Sequence, residues 1–179
     1  MSYLCRYSSP IGGITLASDG DALTGLWFDG QKYFGSAISP DSCEKSLPVF
    51  DETLAWLDIY FSGKDPGFTP RLSFRTTEFR SRVWKMLTGI PYGETISYSE
   101  LTNRLNRAYP GPGTSPRAAA GAVSRNPISL IIPCHRVIGK NGSLTGYAGG
   151  IGRKAWLLAL ERSADGDSLP PFSDPAARP

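Results

Sequence analysis

Imidazole is almost absent from this chain of 179 residues: His135 is its only histidine. Cysteine is scarce too, with Cys5, Cys43 and Cys134 far apart and no Cys-x-x-Cys pair. A structural zinc centre needs a closed set of nitrogen and sulfur ligands, so this inventory argues against a structural zinc site. The odd cysteine count, and a start without a signal-peptide pattern, predict a reducing, cytoplasmic setting. No apolar run is long enough to span a bilayer, which excludes a membrane as partner by this route. Nor is there a large excess of either charge: net charge is +3, with a pI near 8.8. Nucleic acid is allowed as a partner on that basis but not demanded.

The basic residues are unevenly spread. Arg75, Arg80, Arg82 and Lys85 cluster, and Arg104, Arg107, Arg117 and Arg125 follow, while the first half holds most of the acids. That asymmetry predicts a basic face on the second half.

Local patterns divide the chain. "YLCRYS", "ITLASDG" and "ALTGLWFDG" are short β-rich runs closed by Gly, Pro or Asp, and they predict a β meander. "QKYFGSAISPDSCEKSLP" has no period and reads as loop. "VFDETLAWLDIYFSG" is a helix, with Phe50, Leu54, Leu57 and Phe61 on one side and Gly63 as the stop. The Pro- and Gly-bearing "KDPGFTPRLSF" is a connection. The expected domains are therefore 1–70 and 71–163, with a disordered tail over 164–179.

In the second half, Thr76 or Thr77 caps a helix whose inner face is Phe79, Val83, Trp84 and Leu87. "ISYSELTNRLNRA" is a second helix, starting at Ser97 or Ser99. "RAAAGAVSRN" is a third, stopped at Asn126-Pro127. A buried strand, "ISLIIPC", then precedes "RVIG" and a turn at "KNG", and "GRKAWLLALERS" forms the last helix. Three helices and a short β pair fit a winged helix-turn-helix, or equally another small helical bundle.

Cys134 ends the apolar run "SLII" and lies next to the sole imidazole. A buried free cysteine often serves as a small hydrophobe. Pro133 cannot donate to a sheet ladder, however, and polar residues follow at once. The thiol is thus expected where a strand emerges and a substrate can reach it. Reactivity needs a lowered thiol pKa. His135 is close, yet neighbours on a strand point to opposite faces, so a bridging water or a bend suits the pair better than direct contact. Glu161, at the end of the last helix, is either a solvated acid or the group that fixes the His135 tautomer.

"IPCHRV" with "NP" before it, then "GY.GG" and a "RKxWLLxLE" helix, resemble the O6-alkylguanine-DNA alkyltransferase family (methylated-DNA–protein-cysteine methyltransferases). The likeness is strongest from Thr77 to Glu161. It implies an α+β protein: an N-terminal ribonuclease-H-like α/β domain followed by a winged helix-turn-helix-like domain. The implied activity is repair by direct reversal, in which Cys134 takes the alkyl group of O6-alkylguanine, or more weakly O4-alkylthymine, irreversibly and once, with no cofactor.

Site residues follow from the same resemblance. His135 is implied as a water-mediated base oriented by Glu161. Tyr98 is implied to give a proton to guanine N3, and Asn126 to brace the turn before Cys134. Arg117 is implied to fill the stack left by a flipped base, since O6 chemistry requires that flip. Ala118, Ala119, Gly121 and Ala122 would let the helix lie close in the minor groove of double-stranded DNA, with Arg125 beside it. Backbone groups near Val137, Tyr147 and Ala148 would hold the base. Cooperative self-association on DNA is a further implied partner contact.

Departures from the family pattern are a longer turn at "YPGPGTS", Ala148 where Ser is frequent, and Ser129 where some members carry Pro. Two rivals stand beside this reading. One is a lesion-sensing DNA-binding protein without transfer, against which Cys134 argues. The other is a cysteine hydrolase, which lacks a histidine remote from its cysteine.

Overall fold

The structure, a computed structural model, describes residues 2–163 and 169–173. The expected meander forms: β1 (Tyr3–Ser9), β2 (Gly12–Ser18) and β3 (Leu23–Phe28) run antiparallel, with Tyr3 opposite Ser18 and Ile14 opposite Phe28. The segment read as loop is mostly turns, but it also contributes β4 (Cys43–Glu44), which pairs parallel with Tyr3 and Leu4. Two residues are too few to carry an alternating pattern, which is why β4 escapes the sequence. The sheet order is β3-β2-β1-β4.

Helix α1 (Pro48–Phe61) packs on β1 and β2. Its buried face is Val49, Phe50, Thr53, Trp56, Leu57 and Tyr60, rotated from the one expected; Leu54 and Phe61 are half-buried. The helix is apolar over most of its circumference, so spacing alone does not select which stripe turns inward.

The second half contains α2 (Glu78–Thr88), α3 (Tyr98–Ala108) and α4 (Pro116–Ser124). Each starts on a hydroxyl cap: Thr77 accepts from Arg80 N, Ser97 from Glu100 N, and Ser115 from Ala118 N. The three helices pack on one another, and Trp84 Nε1 donates to Ala122 O at 2.9 Å across the α2–α4 contact. Val83, Trp84 and Leu87 are buried as expected, but Phe79 is 38% exposed. It lies in the first turn of α2, along a surface groove that Tyr109 and Pro110 also line.

The strand expected at "ISLIIPC" does not form. Ile128 makes one bridge to Leu26, Leu130 turns the chain with φ of 69°, and Cys134–Arg136 wind into a single 3-10 turn. The run is nevertheless buried, with Ile128, Leu130 and Ile132 at 1% exposure or less. A short apolar run shows burial, not backbone conformation, and here the burial is that of a turn. The short β pair is β5 (Ile96–Ser97) parallel to β6 (Val137–Ile138), not a hairpin with the preceding run.

The last helix, α5, spans Ile151–Arg162. Of the tail, residues 169–173 are described: Leu169 and Phe172 pack against the core, and Pro170 O accepts from Trp156 Nε1. The rest of that expected disordered tail lies outside the described residues.

The outer edge of β3 joins the two halves. Leu23 exchanges backbone hydrogen bonds with Arg71 and Ser73, at 2.8 and 2.9 Å. Three residues on, Leu26 does the same with Pro127 and Ser129, both at 2.9 Å. An edge that would otherwise offer unpaired amides is thereby covered, and one apolar cluster runs through both halves.

Candidate active site

The turn at Cys134–Arg136 sets the directions of three side chains. A 3-10 helix has three residues per turn, so consecutive side chains diverge by about 120°. The sulfur and the imidazole therefore face different neighbours, as expected, although the cause is a turn and not a strand. Among the described residues no direct bond joins them.

Cys134 Sγ accepts a hydrogen bond from Asn126 Nδ2 at 3.2 Å. The same amide donates to Ile132 O at 2.8 Å, and Asn126 Oδ1 accepts from Ile128 N at 3.0 Å. Asn126 thus ties both ends of the 128–132 turn to the sulfur. Cys134 is 4% exposed, contrary to the open strand exit that the sequence suggested. Burial pushes its thiol pKa up, while the Asn126 hydrogen bond and the charge of Lys154 pull it down.

His135 is fully buried. Its Nε2 lies 2.6 Å from Glu161 Oε1. An ionised carboxylate can only accept, so the ring hydrogen belongs on Nε2 and Nδ1 keeps a lone pair. Nδ1 is buried and has no partner among the described residues. Burial lowers the His135 pKa and outweighs the nearby carboxylate, so the ring is neutral at pH 7.

Glu161 is held from all sides. Arg136 Nε donates to Oε2 at 2.9 Å and Nη2 to Oε1 at 3.0 Å. Tyr60 Oη donates to Oε1 at 2.7 Å, and Gly93 N to Oε2 at 3.1 Å. Gly93 has φ of 78°, and a Cβ there would stand 3.2 Å from Glu161 O, so glycine suits this approach on two counts. Burial would raise the Glu161 pKa, but His135 and Arg136 together bring it down to about 2. The Arg136 guanidinium keeps it ionised with the imidazole neutral.

Tyr98, Tyr147 and Lys154 lie near enough to Cys134 to feel its charge. Tyr98 opens α3, and its Oη donates to Thr145 O at 3.4 Å. Burial, and then the Cys134 charge, push its pKa up to about 12. Tyr147 is buried, and its Oη has no partner among the described residues. Lys154 is fully buried and spans Val137 O and Thr145 O, which joins β6 to the 143–150 loop. Burial lowers its pKa to about 8. Val137 is buried, and Ala148 is half-buried with its carbonyl accepting from Lys32 N at 3.1 Å.

Asn126, Cys134, His135, Glu161, Tyr98, Val137 and Tyr147 therefore converge. The α4 residues divide. Arg117, Ala118, Gly121 and Arg125 are exposed, whereas Ala119 and Ala122, at 0% and 3% exposure, face the core. Spacing of three puts those two alanines on one helix face, the one packed on α2, so the expectation that they lie against a nucleic acid is corrected. Three site residues escape a reading of the sequence. Arg136 and Lys154 fall within the quoted "IPCHRV" and "RKxWLLxLE" segments, which give them no role, and Tyr60 carries no local signal.

Comparison with known proteins adds two family models. Residues 78–163 match the DNA binding domain of 6-O-methylguanine DNA methyltransferase, and residues 3–74 match its ribonuclease-like domain. The chain is 45% identical over 157 residues to a methylated-DNA–protein-cysteine methyltransferase of Mycobacterium bovis, covering 87% of this chain and 89% of that one. A protein of the same name from Methanosarcina acetivorans is 42% identical over 162 residues, covering 90% and 99%. Among solved structures, Mycobacterium tuberculosis OGT in complex with DNA superimposes with a TM-score of 0.77 at 41% identity, covering 89% of this chain and 92% of that one. The O6-methylguanine-DNA methyltransferase of Pyrococcus kodakaraensis gives 0.63 at 26% identity, covering 90% and 99%.

Proposed function

The chain belongs to the 6-O-methylguanine DNA methyltransferase family, with its α+β fold and DNA-repair activity by alkyl transfer, and from that premise we propose that Cys134 is the acceptor. The reaction is a displacement at carbon. Cys134 Sγ attacks the alkyl carbon of O6-alkylguanine, the S–C bond forms, the C–O6 bond breaks, and the electron pair leaves on the purine. The thiol proton passes through a water to His135 Nδ1. The purine anion takes a proton at N3 from Tyr98, and the proton held at His135 returns to the phenol through solvent. One proton thus moves from thiol to guanine overall. The thioether is stable and no group regenerates the thiol, so each molecule acts once. O4-alkylthymine presents the same kind of carbon and leaving oxygen.

The observation that carries this reading is the contact set around Cys134 and His135. Asn126 donates to the sulfur at 3.2 Å, and the imidazole is fixed by Glu161 at 2.6 Å with its basic nitrogen turned away from the acid. Arg136 and Tyr60 hold Glu161 in turn. That order favours proton removal by His135 over a thiol with a merely structural role.

DNA is engaged by the exposed side of α4, as the second helix of a helix-turn-helix, in the minor groove. Arg117 takes the place of the everted base, while Ala118 and Gly121 permit close approach. The unit over 71–163 supplies this surface, and the unit over 1–70 supports it through β3.

Intact mass after incubation with a duplex carrying O6-methylguanine tests the proposal. One added methyl group, located on Cys134 by peptide mapping, is expected. Unchanged mass with retained lesion binding would instead make the protein a sensor.

A further inference from the structure

The two segments docked on β3 do not close over each other. Leu23 pairs with residues 71–73 and Leu26 with 127–129, and a groove of about 550 Å³ opens beside Thr24, between the two contacts. Thr24 and Ser39 line it from the first half, and Arg75, Thr76, Arg80 and Arg125 from the second. The only carboxylate in its lining is Asp19, which already accepts from its own turn at Asp21 N and Ala22 N.

Arg75, Arg80 and Arg125 make no ion pair among the described residues. By contrast, Arg6, Arg71, Arg82, Arg104, Arg107 and Arg136 each meet a carboxylate. Arg125 stacks over Tyr33 at 4.0 Å, an arrangement that orients the guanidinium without neutralising it. Two hydroxyls in the lining, Thr24 Oγ1 and Thr76 Oγ1, are buried and lack a hydrogen-bond partner among the described residues. Both are sealed from solvent, so what the groove offers a ligand is its three unneutralised guanidiniums, whose forks match a phosphate.

We propose that this groove binds the phosphodiester backbone of DNA flanking the lesion. The inference rests on the alkyltransferase reading and extends it. Arg117 and Arg125 lie at opposite ends of α4, about 12 Å apart along its axis. The groove begins where α4 ends, so it prolongs the exposed basic face of that helix towards β3. Its lining at Thr24, Ser39, Arg75 and Thr76 falls outside the matched DNA-binding region of 78–163. The ribonuclease-like half thereby contributes directly to duplex binding.

Salt dependence of binding to an undamaged duplex reads this out. Removing one cation from a phosphate makes the plot of log affinity against log salt shallower by roughly 0.9. Arg75→Gln with Arg80→Gln is expected to reduce the slope by about twice that, and the matching pair of lysine substitutions to keep it. Arg75 is exposed, so Arg75→Gln alone supplies a variant that folds, with about half the change. Unchanged slopes would overturn the proposal. So would wild-type slopes accompanied by loss of self-association in sedimentation, which would give the groove to an acidic segment of a second copy. Wild-type protein that gains no methyl group would sink the transfer reading and leave the slope comparison standing.

Discussion

Asn126 Nδ2 stands 3.2 Å from Cys134 Sγ and donates to it, while its Oδ1 accepts from Ile128 N. One side chain therefore fixes the shape of the turn and favours the charged form of the sulfur. Asn126→Ala removes both. Stability is expected to fall by about 1–3 kcal/mol, because the buried Ile128 N–H is left without a partner while Ile132 O keeps only Cys134 N. Transfer is expected to slow by roughly 10- to 100-fold, since a hydrogen bond to an anion is removed. Urea unfolding and single-turnover rates check the two effects, and a normal rate in a destabilised variant would remove the sulfur hydrogen bond from the mechanism.

The buried acid predicts the response to low pH. Glu161 has its pKa brought from 4.5 down to about 2, so its ionised form stabilises the fold above pH 4.5. That contribution is lost as pH falls from 4.5 towards 2. His135 acts in the same direction: its pKa lies below 6.5, so the unfolded chain binds the extra proton first as pH drops. Denaturation midpoints measured at pH 7, 5 and 3.5 should decline steadily, and a flat profile would contradict the buried pair.

Removing the acid alone strands its partner. Glu161→Gln leaves the Arg136 guanidinium buried without a counter-charge, which typically costs about 3–5 kcal/mol. Adding Arg136→Met to that variant should recover much of the stability but not the transfer rate. Calorimetry and the methyl-transfer assay separate the two, and full recovery of rate would deny Glu161 its orienting role.

The three thiols should react in order of exposure with a general alkylating reagent. Cys43 is exposed, Cys5 half-buried and Cys134 buried. Iodoacetamide is expected to label Cys43 first and Cys134 last, whereas O6-methylguanine duplex should methylate Cys134 alone. Peptide mapping after each treatment reads the order, and methyl groups on Cys43 would contradict recognition by the site.

Arg117→Ala should reduce repair in duplex DNA far more than reaction with the free alkylated base, because only the duplex requires a base to be everted. Equal losses on both substrates would remove Arg117 from that task.

Much of this is legible in the residues. The three meander strands end at Gly, Pro or Asp, and Thr77 and Ser97 announce their helices through hydroxyl caps. Cys134, His135 and Glu161 stand out through a short motif and a helix end. Arg136 does not, although it adjoins His135, because nothing local shows that its guanidinium turns inward to Glu161. Tyr60 comes from α1, 101 residues before its acceptor, on a helix whose several apolar stripes compete. The run before Cys134 reads as a strand because apolar content reports burial and leaves the backbone path open. Ala119 and Ala122 look like groove residues for the same reason: small side chains suit either a groove or a tight helix contact.

The pairing of Leu26 with residues 127–129 joins an early strand to the turn just ahead of Cys134. Tyr60 reaches Glu161, and Arg153 reaches Ile11 O across 142 residues. Closing loops of such length costs conformational entropy, which slows folding of chains rich in non-local contacts. The thiol's surroundings exist only in a chain folded through α5, and a fragment that stops before Glu161 lacks the acid that holds the imidazole.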